Sequence, residues 1–434
     1  MLVKRLPPKR PGCVWLETLN RENYMKVKPM VRSNICLNAH PAGCKKNVLN
    51  QIEYVKKETE IRGKSGTGVG FKGTGAPRCV LVLGCSNGYG LASRISAAFG
   101  YGASTVGVSF EKPGTATKGG TPGWYNNLAF DQFAKKDGLK AITLNCDAFS
   151  HETKQQVIDI AKKEGFVFDL VVYSIASPVR TDPDTGVMYK SVLKPVGKVY
   201  SGKTIDAFTN EIKEVSAEPA TEEEVANTVK VMGGEDWKLW IHKLNEASIL
   251  SKDCITVAYS YIGPEVSQAI YRTGTIGKAK EHLEKTAREL DSEFGGSGMR
   301  AFVSVNKGLV TRASAIIPII PLYLSTLFKV MKQKGLHEGC IEQMYRLFSQ
   351  RLYISADRTK TPIPVDSENR IRIDDYEMRE DVQSEVSRIM PTVTSENSAQ
   401  LVDLAGYRHD FLAANGFDID GVDYEAEVEE FDKI

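Results

Sequence analysis

The chain predicts an α/β fold built on a doubly wound parallel sheet, and three observations carry that expectation. Short apolar runs rich in β-branched residues alternate with segments of helical periodicity, the pattern of a parallel sheet covered on both faces. A glycine-rich turn, Gly84-Cys85-Ser86-Asn87-Gly88-Tyr89-Gly90, joins the first such run to the first such helix. An acidic residue, Glu111, follows about twenty residues later at the end of the second run, the spacing of a dinucleotide-binding unit. Together they make the sheet one of Rossmann type.

Taken in order, Cys79–Gly84 reads as the first buried strand and Gly90–Gly102 as its helix, with Leu91, Ile95, Ala98 and Phe99 on one face. Ser104–Phe110 and Ala141–Leu144 are the second and third strands, His151–Glu164 a helix and Asp169–Ala176 the fourth strand. Ile255–Tyr261 and Ala301–Val305 supply two more, so the core takes in about 78–176 and 251–330. Between them, 178–250 breaks the alternation and reads as a small subdomain appended at the sheet edge. It opens with the turn-rich Arg180–Gly186, and Thr221-Glu-Glu-Glu224 is a capping box in front of a helix that Gly233-Gly234 separates from the next. Residues 335–434 read as helical additions ending in an acidic tail. Residues 1–24 are basic and broken by Pro7, Pro8 and Pro11. They read as a disordered extension or a targeting segment, or the chain starts in effect at Met25, and 25–434 form one domain.

Composition removes several classes of function. Lys and Arg number 56 against 54 Asp and Glu in 434 residues, so no global field points to nucleic acid or a membrane surface. The eight cysteines form no CxxC pair, and Cys36, His40 and Cys44 lack a fourth ligand, so no metal is expected. A cytoplasmic location with reduced cysteines follows. The longest apolar run, Ala313–Phe328, is short for a membrane span and contains Pro318 and Pro321. It is either a core segment or the wall of an apolar pocket. Gly63-Lys64-Ser65 is no phosphate loop, since Glu58 stands where a glycine is needed and no strand precedes it, and Gly63–Gly75 reads as a flexible connector. Asp418-Ile-Asp420-Gly421 brings its glycine too early for a calcium loop.

The turn Gly84–Gly90 stands where backbone N–H groups at a helix N-terminus meet a pyrophosphate. Phe110 and Glu111 then face the adenosine. A carboxylate there accepts from the ribose 2′-hydroxyl and repels a 2′-phosphate, which favours NADH over NADPH unless Glu111 is merely a solvated loop acid. Asp147 and Ala148, after the third strand, are placed for the adenine, and Ile175 and Ala176, after the fourth, for the nicotinamide ribose.

A second constellation follows in Tyr259-Ser-Tyr261-Ile-Gly263 and in Tyr271 with Lys280. A phenol has an ordinary pKa of about 10, and a nearby ammonium makes it a better acid. Nine residues on one α-helix turn through about 900°, which would set Tyr271 and Lys280 on opposite faces. Gly274 and Gly277 resolve this: the chain turns after Tyr271 and a helix begins near Thr275, with Ile276, Leu283, Ala287, Leu290 and Phe294 as its apolar stripe. Lys280 lies on or beside that stripe, as a functional amine or as a lysine snorkelling past a buried face.

Tyr271 and Lys280 at this separation, after Tyr259-Ser-Tyr261-Ile-Gly263, resemble the trans-2-enoyl-CoA reductases and the related FabV-type enoyl-[acyl-carrier-protein] reductases, extended relatives of the short-chain dehydrogenases. Asn38-Ala-His-Pro41, Gly123-Trp-Tyr-Asn126, Val231-Met-Gly-Gly-Glu-Asp-Trp237, Val305-Asn-Lys-Gly-Leu-Val-Thr311 and His337-Glu-Gly-Cys-Ile-Glu-Gln343 agree with the same family, from about Met25 onward. The resemblance implies NADH-dependent reduction of the C2=C3 bond of a trans-2-enoyl-CoA, in fatty acid synthesis or a butyrate-forming fermentation. An enoyl-[acyl-carrier-protein] reductase or a carbonyl-reducing dehydrogenase are the alternatives. It implies Tyr271 as proton donor, Lys280 as the cation that lowers the tyrosine pKa and holds the cofactor, and Tyr261 on the substrate carbonyl. Leu309, Val310 and Thr311 would meet the nicotinamide carboxamide. The implied partner is a thioester of CoA or carrier protein, and the implied state a monomer or weak dimer.

Overall fold

Successive side chains of Cys79–Leu83 (β1) point to opposite faces of a sheet. Val80 and Val82 pack with Leu91, Ile95 and Phe130 on one side, and Leu81 and Leu83 with Val157, Ile158 and Trp240 on the other. This is the computed structural model of the chain, and it describes residues 26–428 apart from 33–34, 67–69, 116–117, 269–270, 312–313, 315–316, 318 and 358–359. The extension expected at 1–24 lies outside the described residues.

From β1 the sheet grows in parallel through Ser104–Ser109 (β2) to Ala141–Asn145 (β3). On the other side of β1 come Phe168–Tyr173 (β4), Leu250–Ser260 (β5), Arg300–Val305 (β6) and Arg370–Arg372 (β7). The order is β7-β6-β5-β4-β1-β2-β3, with every pairing parallel. The direction of winding reverses between β1 and β4, so their carboxyl ends open the crevice where such sheets bind ligands. The expected doubly wound class is present with all six expected strands. The seventh, β7, falls in a stretch read as helical; three residues are too few to show a period, and pairing with Val303–Val305 makes them a strand.

Three further expectations change. Gly63–Ser65 is not connector but the last turn of a helix over Pro41–Ser65 (α1), ended by Gly66 at φ +67°. Buried Val48, Ile52 and Val55 give α1 its helical face, which holds the glycine in register. The first crossover helix, Gly88–Ile95 (α2), starts earlier than read and continues as a π-helical turn through Gly100. The stretch 178–250 is not an appendage throughout. Its two hairpins, Val179–Thr181 with Met188–Lys190 and Tyr200–Ile205 with Ile212–Ala217, form sheets of their own. Its helices Glu222–Met232 (α3, opened by the expected capping box) and Glu235–Glu246 (α4) return to the body of the molecule. Trp237, Trp240, Ile241 and Leu244 make α4 a core helix against the sheet. The Trp237 indole N–H donates to the Thr256 hydroxyl on β5 at 2.8 Å. The double glycine at 233–234 hid this apolar stripe by looking like a boundary.

The helix over Ile320–Gln333 (α5) is buried almost all round, with Leu322, Leu324, Leu327 and Phe328 packed against Val382, Val386, Tyr407 and Phe411 of the C-terminal stretch. Of the two readings of Ala313–Phe328, the core one describes this helical part; 312–313, 315–316 and 318 lie outside the described residues. No described helix is long and apolar enough to cross a membrane. His40 serves as the N-cap of α1, its Nδ1 accepting the Gly43 N–H at 3.1 Å. Among the described residues no group of three or more His, Cys, Asp or Glu could hold a metal ion.

Candidate active site

The crevice begins where β1 ends. Leu83 accepts from the Ser174 N–H at 2.8 Å, and Gly84 donates to the Val108 carbonyl at 2.9 Å, so the turn is tied to the strands on either side. Gly84 has φ +86°, and a side chain there would strike the Ser174 carbonyl 2.3 Å away. A Cβ on Gly90 would lie 1.9 Å from the Gly84 carbonyl oxygen, so α2 closes onto the strand only because position 90 has no side chain. The backbone of Gly84–Tyr89 is therefore presented at the N-terminus of α2. The Cys85 thiol turns away into the core beside Asn127, and burial pushes its pKa up. Tyr89 donates its hydroxyl to the Lys307 carbonyl.

Glu111 is brought onto this turn. Its Oε1 accepts from the Ser86 hydroxyl at 2.6 Å and from Asn87 Nδ2 at 3.1 Å. Asn126 Nδ2 donates to the Ser86 carbonyl at 3.0 Å and to Asn87 Oδ1 at 3.1 Å, bracing the loop from behind. Asn145, at the end of β3, fixes the Glu111 backbone by donating to its carbonyl at 2.9 Å and accepting its N–H at 2.8 Å. Phe110 beside it is 78 % exposed, an aromatic face open at the sheet edge. Asp147 accepts the Phe149 N–H at 2.9 Å, and the Ala148 carbonyl is taken by the Trp240 indole at 3.0 Å and the Lys154 ammonium at 3.1 Å. Ile175 and Ala176 continue from Ser174, against which Gly84 packs. Leu309 and Val310 are buried, and the Thr311 methyl comes within 3.7 Å of where a Gly88 Cβ would stand. The loop after β6 thus meets the N-terminus of α2.

Tyr271 and Lys280 both border the carboxyl end of β5. A helix over Thr275–Phe294 (α6) starts immediately after the turn that follows Tyr271, and Gly277 permits it: a Cβ there would lie 2.0 Å from the Arg272 carbonyl. Leu283, Ala287 and Leu290 bury the expected stripe. Lys280 Nζ donates to the Tyr259 carbonyl at 3.0 Å, and burial lowers its pKa to about 8. The Tyr271 ring meets Tyr261 edge-on with centroids 4.7 Å apart. Its hydroxyl has no hydrogen-bond partner among the described residues.

Two expected roles are revised. Lys280 does not depress the Tyr271 pKa in this arrangement: burial, and then the charge of Glu377, hold the phenol above its ordinary range. A dry surrounding favours the neutral form, which is the form that donates. Tyr261 does not have a free hydroxyl for a substrate carbonyl, because it donates to Glu377 Oε1 at 2.9 Å. Tyr259, whose hydroxyl lies 2.5 Å from Ser93 Oγ, belongs to the core. Sequence reasoning missed Asn126, Asn145 and Glu377 as parts of the site. Asn145 had a signal, a polar residue closing a half-buried strand on the ligand edge; Glu377 had none.

The profile described as trans-2-enoyl-CoA reductase catalytic region matches residues 118–353, preceded by its NAD(P)H binding domain at 26–116. A trans-2-enoyl-CoA reductase [NADH] of Treponema denticola is 67 % identical over 410 residues, covering 94 % of this chain and 100 % of that protein. This chain belongs to the trans-2-enoyl-CoA reductase family. The crystal structure of the Treponema enzyme in complex with NAD superposes on the reductase with a TM-score of 0.89 over 94 % of this chain and 100 % of that one, at 66 % identity. An enoyl-[acyl-carrier-protein] reductase [NADH] of Flavobacterium johnsoniae is 52 % identical, covering 94 % of this chain and 98 % of the relative.

A third profile, described as enoyl reductase FAD binding domain, matches residues 365–428 of the reductase. Those residues do not fit a flavin dinucleotide, whose diphosphate needs an open, amide-lined cradle. The turn at Gly416 is filled by the His40 carbonyl and Cys44, and the Gly406 N–H is taken by Asp403 at 2.9 Å. The Gly84–Gly90 turn, by contrast, fits a dinucleotide. Replacing Glu111 with Ala in the reductase is expected to shrink the preference for NADH over NADPH by about tenfold or more, since the ribose loses its acceptor and a 2′-phosphate its repulsion. The kcat/KM ratio for the two coenzymes measures this, and an unchanged ratio would assign the choice elsewhere.

Proposed function

We propose that this reductase converts a trans-2-enoyl-CoA, such as crotonyl-CoA, to the saturated acyl-CoA with NADH. The observation that carries the reading is the uncommitted hydroxyl of Tyr271, set edge-on to Tyr261 at the end of β5. When bound, NADH supplies a hydride to C3 of the substrate. Gly84, Cys85, Ser86, Asn87, Gly88 and Tyr89 hold its pyrophosphate, and Phe110, Glu111, Asp147 and Ala148 its adenosine. Ile175, Ala176 and Lys280 hold the nicotinamide ribose, and Leu309, Val310 and Thr311 the carboxamide. The coenzyme-binding core is assigned to about 78–176 and 251–330. Tyr271 donates to the thioester carbonyl oxygen as negative charge gathers there, and a proton delivered to C2 completes the reduction. Monomer or weak dimer and a cytoplasmic location belong to the same proposal.

Consumption of NADH with crotonyl-CoA, but not with acetoacetyl-CoA, is the result expected; the reverse preference would make the protein a carbonyl reductase. A carrier-protein thioester is the second reading, favoured by the name of the Flavobacterium johnsoniae relative. A higher kcat/KM for crotonyl-carrier protein than for crotonyl-CoA would select it.

Lys280 gives the site a pH dependence. Its amine, lowered to about 8, is charged below that pH and neutral above it, so turnover that uses the charge falls as pH rises through about 8. Lys280→Met should lower turnover at every pH and remove that limb. Lys307, also lowered to about 8 by burial, remains in the variant; a limb that persists unchanged belongs to another group.

A further inference from the structure

We propose that Glu377 is a positioning residue of the reducing site, an inference that rests on the reading of Tyr271 as the proton donor. Glu377 is fully buried and comes from the C-terminal stretch matched by the flavin-domain profile. Its Oε1 accepts from the Tyr261 hydroxyl at 2.9 Å and from the Tyr323 hydroxyl at 2.6 Å, and its Oε2 accepts the Gly308 N–H at 2.6 Å. Gln383 Nε2 donates to the Glu377 carbonyl at 2.7 Å and to the Tyr323 hydroxyl at 3.3 Å, which fixes the backbone behind the carboxylate. The three donors come from three walls of the site. Tyr261 stands at the end of β5, Tyr323 on α5, and Gly308 on the loop that runs on to Leu309, Val310 and Thr311.

A phenol has one proton to donate. That of Tyr261 goes to Glu377, so the tie selects between the two tyrosines: Tyr261 becomes a fixed wall, and Tyr271, resting edge-on against it at 4.7 Å, keeps its hydroxyl for the substrate. The same carboxylate fixes the separation between that wall and the Gly308 loop, which leads on to Leu309, Val310 and Thr311. A carboxylate offers acceptor lone pairs to all three donors at once. A glutamine of the same shape offers one acceptor oxygen and turns an N–H toward Gly308 or toward the phenols, so one tie is lost without a change of volume.

The test is a double-mutant cycle on the full chain with Glu377→Gln, Tyr261→Phe and both together, read as kcat and KM with crotonyl-CoA, NADH affinity by fluorescence, and thermal unfolding. Each single change is expected to lower kcat by about 10- to 100-fold through misplacement of Tyr271, with NADH affinity held within about threefold. Because both changes loosen the same Glu377-centred cluster, the double variant should fall no further than the worse single variant. Losses that multiply in the double variant, or wild-type kcat in Glu377→Gln, would overturn the proposal. So would parallel losses of NADH affinity and melting temperature that account for the lost activity, since these mark a purely structural carboxylate. Wild-type protein that left every enoyl thioester unreduced would instead remove the functional reading, and this proposal with it.

Discussion

Tyr271→Phe is expected to lower kcat with crotonyl-CoA by about 10²–10⁴-fold, the usual range for loss of a general acid. The ring keeps its edge contact with Tyr261, so the fold and the apolar wall survive, and only the hydroxyl proposed to meet the substrate is removed. NADH affinity should stay close to wild type, because the proposed coenzyme contacts lie on the turn after β1 and on Lys280. Steady-state rates paired with an NADH fluorescence titration separate the two effects. A variant with undiminished kcat would mean that another group delivers the proton, and Tyr261, released from Glu377, would be the first to re-examine. The phenol needs no depressed pKa for this role. Burial keeps its proton in place until charge builds on the thioester oxygen.

The other large effect is expected from Gly90→Ala. A methyl group at position 90 would sit 1.9 Å from the Gly84 carbonyl, in the turn proposed to carry the pyrophosphate, and 3.2 Å from Ser174 Oγ, just after β4. Overpacking of this kind costs about 1–3 kcal/mol. The strain is relieved by lifting the turn off the helix, which withdraws the amides from the pyrophosphate and should weaken NADH binding by about 10- to 100-fold. KM for crotonyl-CoA at saturating NADH should change little, because the thioester is proposed to lie on the Tyr271 side. If NADH affinity were untouched, close approach of α2 to β1 would not be what shapes the coenzyme site.

Where the sequence was legible, a local pattern carried the information. Strands β1 to β6 are apolar runs of ordinary length, and the glycine turn and Glu111 are held at fixed spacing by the strand–turn–helix unit. The break after Tyr271 could be argued from helical rotation alone, and Gly277 closes that turn as the argument required. Where it was not legible, the deciding contact came from far along the chain. α4 looked like an appendage because two glycines precede it, yet Trp237 and Trp240 are claimed by the sheet. β7 is three residues long and exists only because β6 offers a free edge.

The sequence by itself determined the doubly wound sheet and the glycine turn that opens its first crossover helix, because each depends on neighbours within one strand–helix unit. Only the tertiary structure decided which of the two tyrosine hydroxyls is left uncommitted. That choice rests with Glu377, a buried carboxylate more than a hundred residues beyond Tyr261, whose Oε1 accepts the one hydroxyl proton that Tyr261 has to give. No spacing in the sequence announces such a partner, since burial and a hydrogen bond between distant segments come into being only when the chain has folded.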